Sequence, residues 1–309
     1  MVKIVSKIIR KLLTWIILAP KHITTFIGYL LTNNKSFKYD LSIVAIVKNE
    51  TPYICEWLEY HLIIGVKHFY IYDNESDDNL LEILQPYIKS DIVTYKYFPG
   101  KAMQEPAYND AVSRYKLENK YLAIIDLDEF ILPMKHNLII DEMNDILSKL
   151  KIKRFLSLKI HWVSFGFCGH EKKPDGLVIE NYTKSCGEND NGMNVQIKSI
   201  INPRTIVEYY AHRGLHFFGL QGMNEKGIKI KSYRTDSKLK VGVEHIRINH
   251  YFSKSYEEYI KKCKRGSVYR GNKYTLRAYD PNWLSTVDDN SIERFIPLVK
   301  QKLLDRAVR

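Results

Sequence analysis

The sequence predicts an α/β fold in which a mostly parallel central sheet is flanked by helices and followed by a less regular C-terminal half. Three observations predict it. From Asp40 onward, short β-rich runs alternate with helical stretches, the pattern of parallel strands joined by helical crossovers. The first run, Leu41–Val47, is continuous and apolar rather than alternating, as a strand covered on both faces is. Polar residues gather directly after the runs, at Lys48/Glu50, Asp73/Asn74 and Asp126/Asp128. Open α/β sheets bind their ligands at these carboxyl ends.

The chain opens with a basic arm, residues 1–39. Within residues 2–17, Ile4, Val5, Ile8, Ile9, Leu12, Leu13, Ile16 and Ile17 share one helical face, and Lys3, Lys7, Arg10 and Lys11 fill the other. Pro20 is expected to stop or kink this helix. A second apolar patch follows at Ile23, Phe26, Ile27, Tyr29, Leu30 and Leu31. The apolar stretch is too short and interrupted to span a bilayer, whereas a basic two-faced helix suits an anionic membrane surface. The competing readings are packing on the protein's own body, a dimer contact or a signal peptide. Lys21 and His22 stand where a cleavage site would need small residues.

Next come the elements of the sheet. Leu41–Val47 is the first strand, and Thr51 with Pro52 reads as the start of a helix that Gly65 ends. His68–Tyr72 is the second strand, with Ser76 as the expected cap of a helix through Leu80, Leu81, Leu84 and Ile88. Ile92–Tyr97, a helix near Gln104–Tyr115, and a fourth strand at Tyr121–Ile125 complete the alternation.

Composition narrows the function. The 309 residues carry 47 Lys and Arg against 35 Asp and Glu, a net +12. Seven of the positive residues precede Asp40, the first acid, so the remaining 40 face 35 acids and the body is only mildly basic. That excludes the evenly basic surface of a nucleic-acid binder. Cys55, Cys168, Cys186 and Cys263 are scattered with no C-x-x-C spacing, which argues against structural zinc or a disulfide framework and fits a reducing compartment. The 22 Tyr are read mostly as half-exposed strand residues, some of them available for stacking on a sugar or base.

The chemistry centres on Asp126-Leu127-Asp128-Glu129, at the tip of the fourth strand. On extended backbone Asp126 and Asp128 would point to the same side and share a hard divalent ion, or divide metal and ribose between them. Neither G-x-G-x-x-G nor G-x-x-x-x-G-K-[ST] occurs in the first half, so a diphosphate must be held without a glycine-rich loop, and a bound cation is the natural substitute.

The run VKNETPYICEWLEYHLIIGVKHFYIYDNESDDN, then Gln104, Ala107-Tyr108-Asn109 and AIIDLDEFILP, resembles glycosyltransferase family 92 and its bacterial family 2-like relatives. WVSFGFCGHEKKPDGLVIENYTK and INHYFSKSYEEYIKKCKRG extend the resemblance over roughly residues 41–270. It implies a GT-A-like fold, a nucleotide-sugar donor (usually a UDP-sugar), Mn²⁺ or Mg²⁺ on the D-x-D, and transfer of a hexose such as galactose with inversion. Residue by residue, it places Lys48, Asn49 and Glu50 where the first-strand loop meets the nucleotide, and Asp73 at base or ribose. Asp126 and Asp128 take the metal, and His250 is the candidate third ligand.

In the second half, Phe155–Phe167 reads as a strand or hairpin and His170–Gly176 as a loop. His161 and Trp162 belong either to an acceptor groove or to the core, and His212 and His216 are expected to be buried and satisfied. Lys254–Arg277 is strongly basic, and Arg265 is its first choice for gripping diphosphate. Inversion needs a general base; Asp175, Glu180, Glu188 and Asp190 lie in the acceptor region, with Asp175 and Glu180 inside the matched segment.

The expected organisation is therefore the arm at 1–39, a GT-A-like domain at 40–280 and a helical tail at 281–309. The domain divides into a nucleotide-sugar half, about 40–135, and an acceptor half, about 136–280. The expected partners are a nucleotide-sugar donor, a glycan or glycolipid acceptor and an anionic membrane surface touched through residues 2–31, with no nucleic acid. The expected location is cytoplasmic, peripheral at the inner face of the membrane. Rival readings are a non-catalytic nucleotide-sugar or carbohydrate binder of the same fold and, behind it, a metal-dependent phosphohydrolase.

Overall fold

The computed structural model describes residues 18–32, 35–187, 192–266 and 276–307. The amphipathic stretch 2–17, Glu188, Asp190, Arg270 and Lys273 lie outside the described residues.

Residues 18–32 form helix α1, which continues on both sides of Pro20. Within the described residues no stop occurs at Pro20. One face of α1 docks on the body: Phe26 meets Phe217 and Phe218 at 5.2 Å each, Tyr29 meets Phe217 at 5.5 Å, and Phe218 N donates to His22 Nδ1 at 2.9 Å. The other face, Ile23, Ile27, Leu30 and Leu31, is exposed.

The first half alternates as expected: β1 (Tyr39–Val47), α2 (Thr51–Ile63), β2 (His68–Asp73), α3 (Leu80–Lys89), β3 (Val93–Tyr97), α4 (Gln104–Tyr115) and β4 (Asn119–Ile124). Two caps differ from expectation. Thr51 is not the N-cap of α2; Glu50 holds that place, and the Thr51 N–H is met from outside by Asp78 Oδ2 at 3.1 Å. Ser76 does not cap α3, whose N-cap is Asn79; instead Ser76 N donates to Asp73 Oδ1 at 2.9 Å. In both, a tertiary or loop partner replaced the local one. Gly65 does end α2, at φ +98°, where its missing side chain leaves room for Leu138.

After β4 the chain turns sharply into β5 (Glu129–Pro133), then α5 (Ile139–Lys149), β6 (Ser157–Ser164), α6 (Val178–Asn181), β7 (Lys184–Ser185), β8 (Ile197–Ile201), β9 (Ile206–Tyr209) and β10 (Gly214–His216). β11 (Ile246–His250), α7 (Tyr256–Arg265), β12 (Val287–Asp288) and α8 (Ile296–Ala307) follow. Eight strands form one sheet in the order β3-β2-β1-β4-β8-β6-β11-β5. β1, β2, β3 and β4 are mutually parallel, as are β6 and β11, while β8 and β5 run against their neighbours. The result is the expected mostly parallel α/β sheet between helices. The less regular half thus contributes three strands, β6, β8 and β11, to the same sheet, which irregular local periodicity concealed.

The main core packs β1, β2, β5, β6 and β11 against α2, α3, α5 and the start of α8; a second core lies on the other face under α4 and β9. Many tyrosines are buried rather than half-exposed, among them Tyr60, Tyr70, Tyr72, Tyr87, Tyr108, Tyr209 and Tyr251. Several bury the ring while the hydroxyl finds a partner, as Tyr72 does at Asp110 Oδ2 (2.7 Å) and Tyr87 at Glu59 Oε1 (2.9 Å). Among the described residues no helix is long and apolar enough to cross a membrane.

Candidate active site

Parallel pairing levels the carboxyl ends of β1 and β2, with Val47 opposite Asp73, and sets β4 beside β1 with Val44 opposite Ile124. β11 brings His250 to the same end, paired with Glu129 of β5 and with Ser164 of β6. The acids therefore sit where strands from both halves of the chain terminate.

The D-x-D does not lie on extended backbone. Residues 127–128 form a turn, closed by Glu129 N donating to Asp126 O at 3.1 Å, and Leu127 is buried. The strand geometry expected there is therefore replaced by a turn, and the two acids are held by different partners while each still feels the other's charge.

Asp126 is received by a polar cradle. Its Oδ1 accepts from Tyr108 OH at 2.8 Å and Gln104 Nε2 at 3.1 Å, and its Oδ2 accepts from Lys198 Nζ at 2.7 Å. A third of its side chain remains exposed. Burial opposes its ionisation, but the Lys198 ammonium outweighs that and holds the carboxyl below its ordinary value. Lys198 itself is wholly buried on β8, and Glu129 Oε2 lies 3.7 Å away. Burial lowers the lysine's proton affinity, and the two acids more than restore it. Glu129 is pushed the other way: burial drives its carboxyl well up, only partly countered by Lys198. Its Oε2 accepts from Asp126 N at 2.9 Å, and its buried Oε1 has no hydrogen-bond partner.

Asp128 faces α7. Lys262 Nζ donates to its Oδ2 and also to Phe252 O at 2.9 Å, and His250 Nε2 lies 3.7 Å from the same oxygen. Burial again opposes ionisation, and Lys262 with His250 pulls Asp128 well below its ordinary value. Burial lowers the His250 pKa despite the attraction of Asp128, so the ring is neutral and keeps a lone pair for a ligand. Its Nδ1 is buried with no hydrogen-bond partner. Trp162 packs on the ring at 4.1 Å between centroids, with its own indole N–H buried and unpartnered. Trp162 is thus buried in the core and in contact with the site at once.

The same helix reaches the first-strand loop. Arg265 Nη1 donates to Lys48 O and to Glu50 Oε1 (2.7 Å), and Lys254 Nζ lies 3.8 Å from Glu50 Oε2. Asn49, in the left-handed region at φ 56°, accepts from Asp77 N at 2.9 Å and fixes the loop between β1 and α2 against the one after β2. Asp73 accepts from Tyr95 OH at 2.6 Å as well as from Ser76.

The structure thus joins Lys48, Glu50 and Arg265 in one network, and Asp128 and His250 in another, both anchored on α7. Asp126 belongs to a third, on Lys198. Asp175 is exposed on the loop after β6, and Glu180 is paired with Lys300 of α8; neither is in contact with Asp126, Asp128 or His250. His216 is buried and satisfied, with Ser157 Oγ 2.9 Å from Nε2 and Thr205 Oγ1 2.8 Å from Nδ1. Sequence reasoning missed Lys198. The signal was a lysine inside the short, Ile-rich IKSII strand, where a buried cation needs a polar or acidic partner.

An ion on the D-x-D would need hard oxygen donors and a neutral nitrogen. Asp128 with His250 supplies that set, and the His250 Nδ1 is buried with no hydrogen-bond partner. The donor chemistry fits Mn²⁺ or Mg²⁺, with Lys262 standing where the ion's charge would be. Asp126 is drawn aside by Lys198 and is better set for a hydroxyl than for the same ion.

The family model for glycosyltransferase family 92 matches residues 43–285. The chain belongs to glycosyltransferase family 92. A family 92 protein of Oryza sativa subsp. japonica is 26% identical over 227 residues, covering 72% of this chain and 35% of that protein. One from Arabidopsis thaliana is 25% identical over 197 residues, covering 62% and 33%. The chain therefore spans about a third of the length of these family 92 relatives. Among solved structures, S. aureus TarS in complex with UDP is 13% identical with a TM-score of 0.36, covering 53% of this chain and 47% of that one. In family 92 terms, the matched segment holds Asp126, Asp128, His250 and Arg265 together with the eight-stranded sheet except the first residues of β1.

Proposed function

We propose that this family 92 chain transfers a hexose, galactose being the first to test, from a UDP-sugar to a glycan or glycolipid acceptor, with inversion and with a divalent cation at Asp128. The observation that carries the reading is the meeting of Asp128, His250 and the α7 cations at the carboxyl ends of β4, β6 and β11. Mn²⁺ or Mg²⁺ would be held by Asp128 and His250 and would neutralise the departing diphosphate as a Lewis acid. Asp126, aligned by Tyr108, Gln104 and Lys198, would accept a hydroxyl of the donor. Lys262 and Arg265, once released from their carboxylate partners, would meet the diphosphate oxygens. The Lys48–Glu50 loop and Asp73 would border the nucleoside.

For the base, Asp175 and Glu180 are the candidates. Glu180 must first leave Lys300. Asp175→Asn and Glu180→Gln separate them: the true base, when removed, abolishes the acidic limb of the pH–rate profile and lowers kcat by about 10²-fold or more. Loss of only substrate affinity would reject the residue tested.

The defining experiment is turnover with a panel of nucleotide sugars, with and without EDTA. Chelation should abolish transfer. A second reading, a non-catalytic binder of nucleotide sugars, is favoured by one observation: lysines already engage both D-x-D acids. UDP binding without turnover on any donor would select it.

We also place the chain at an anionic membrane surface on the cytoplasmic side. The exposed Ile23, Ile27, Leu30 and Leu31 of α1 support this, together with the acid-free basic stretch before Asp40.

A further inference from the structure

β11 carries His250 at its carboxyl end, and His245 immediately precedes its other end. The five residue steps from one to the other span roughly 17 Å. At that far end of the sheet, His136, Glu142 and Asp145 each offer a ligand atom within 4.8 Å of the others'. Their positions are built in. Arg294 of the segment before α8 donates to His136 O at 3.0 Å and to Met134 O at 3.2 Å, fixing the loop after β5. Glu142, fully buried on α5, accepts from the N–H groups of Lys135 (2.8 Å) and His136 (3.0 Å) through Oε2. Asp145 lies three residues on, along the same helix face.

A second observation points to a cation. His245 Nδ1 is 2.9 Å from Glu142 Oε1, while its Nε2 is 3.2 Å from Lys135 Nζ and 3.5 Å from Lys149 Nζ. Ammonium groups only donate. Nε2 is therefore the acceptor, and Nδ1 carries the proton that it donates to Glu142. Lys149 also pairs with Asp145 at 3.0 Å, so a positive charge already stands at one of the three ligand residues. Lys149 is about half exposed, and ion pairs of this kind hold weakly, so the lysines can yield to a doubly charged ion.

We propose that His136, Glu142 and Asp145 bind a divalent transition metal, Zn²⁺ by preference, with His245 as the hydrogen-bonded partner that orients Glu142. An imidazole beside two carboxylates favours zinc over magnesium, and an imidazole–carboxylate contact behind a ligand is the usual supporting arrangement. The ion would clamp the loop after β5, α5 and the start of β11 together. This site is separate from the D-x-D and does not depend on the sugar-transfer reading.

The test is equilibrium dialysis of untagged, full-length protein against zinc sulfate, on an Asp128→Ala background that removes the other candidate ion position. One zinc per chain should bind there, raise the Tm, and be lost or weakened at least tenfold in Asp128→Ala/His136→Gln. Should that variant misfold, Asp128→Ala/Lys149→Met gives the opposite readout, since removing a competing ammonium should tighten zinc. Zinc uptake indifferent to His136, no uptake by Asp128→Ala, or no tightening without Lys149 would overturn the proposal.

Discussion

Lys198 has no solvent and two acids for company, Asp126 at 2.7 Å and Glu129 at 3.7 Å. Replacing it by Met leaves Asp126 facing a buried acid with no counter-charge. The expected cost is about 3–5 kcal/mol of stability, measured by urea unfolding, because breaking one side of a buried pair strands the other. Double replacement of Lys198 by Met and Glu129 by Gln should recover part of it. At this scale the sequence was half legible. An acid triplet at a strand tip marks a site, because acids there are too costly to be idle. The turn at 127–128 between the two aspartates, and the lysine that claims the first of them from 72 residues away, are consequences of tertiary packing that local pattern does not carry. Trp162 shows the same limit: burial was readable from its apolar neighbours, contact with His250 was not.

Among elements, α7 does the joining. It begins with a capping box: Ser255 Oγ accepts from Glu258 N at 3.3 Å, and Ser255 N donates to Glu258 Oε2 at 3.0 Å. Glu258 is tied in turn to Tyr182 OH at 2.8 Å and to Tyr53, so the helix start is fixed to both α2 and the loop after α6. Lys262 and Arg265 then project from its last turns to Asp128 and Glu50. Ser255→Ala should cost about 1 kcal/mol in thermal or chemical unfolding and weaken UDP binding more than its distance from the site would suggest; unchanged UDP affinity would deny α7 this role. The first four strands were legible because continuous apolar runs between turn residues admit few alternatives. The caps of α2 and α3 were not, since Asp78 reaches the Thr51 N–H across a loop and Asp73 holds Ser76 short of the helix that starts after Asn79. For α1, the exposed Ile23, Ile27, Leu30 and Leu31 predict sedimentation with anionic vesicles. Asp substitutions at Ile27 and Leu31 should reduce it several-fold, and retention on neutral vesicles alone would contradict an electrostatic component.

For the whole molecule, buried histidines set the response to acid. Burial lowers His61 and His216 to about 3, and His161 and His212 to about 4. The unfolded chain takes up these protons near pH 6.5, while the folded rings refuse them until far lower. Stability therefore falls as pH drops from about 6.5 toward 4, by up to about 1.4 kcal/mol per pH unit for each ring. Glu56 opposes this: burial raises it to about 7, so its contribution is greatest at low pH and is lost between about 4.5 and 7. Four rings outweigh Glu56 and the likewise raised Glu129, and urea midpoints should drop between pH 6.5 and 4.5; a flat profile would mean the rings are charged when folded. His161 is buried on β6 of the eight-stranded sheet and His61 on α2 against it.

All of these scales converge on Asp128. Calorimetric titration of UDP into the protein with Mn²⁺ present, then with EDTA, then into Asp128→Asn, tests the account most directly. UDP affinity should fall at least tenfold on chelation and by a similar factor in Asp128→Asn, with Mn²⁺ then adding nothing. UDP binding of equal strength in all three titrations would contradict a cation held between Asp128 and the diphosphate.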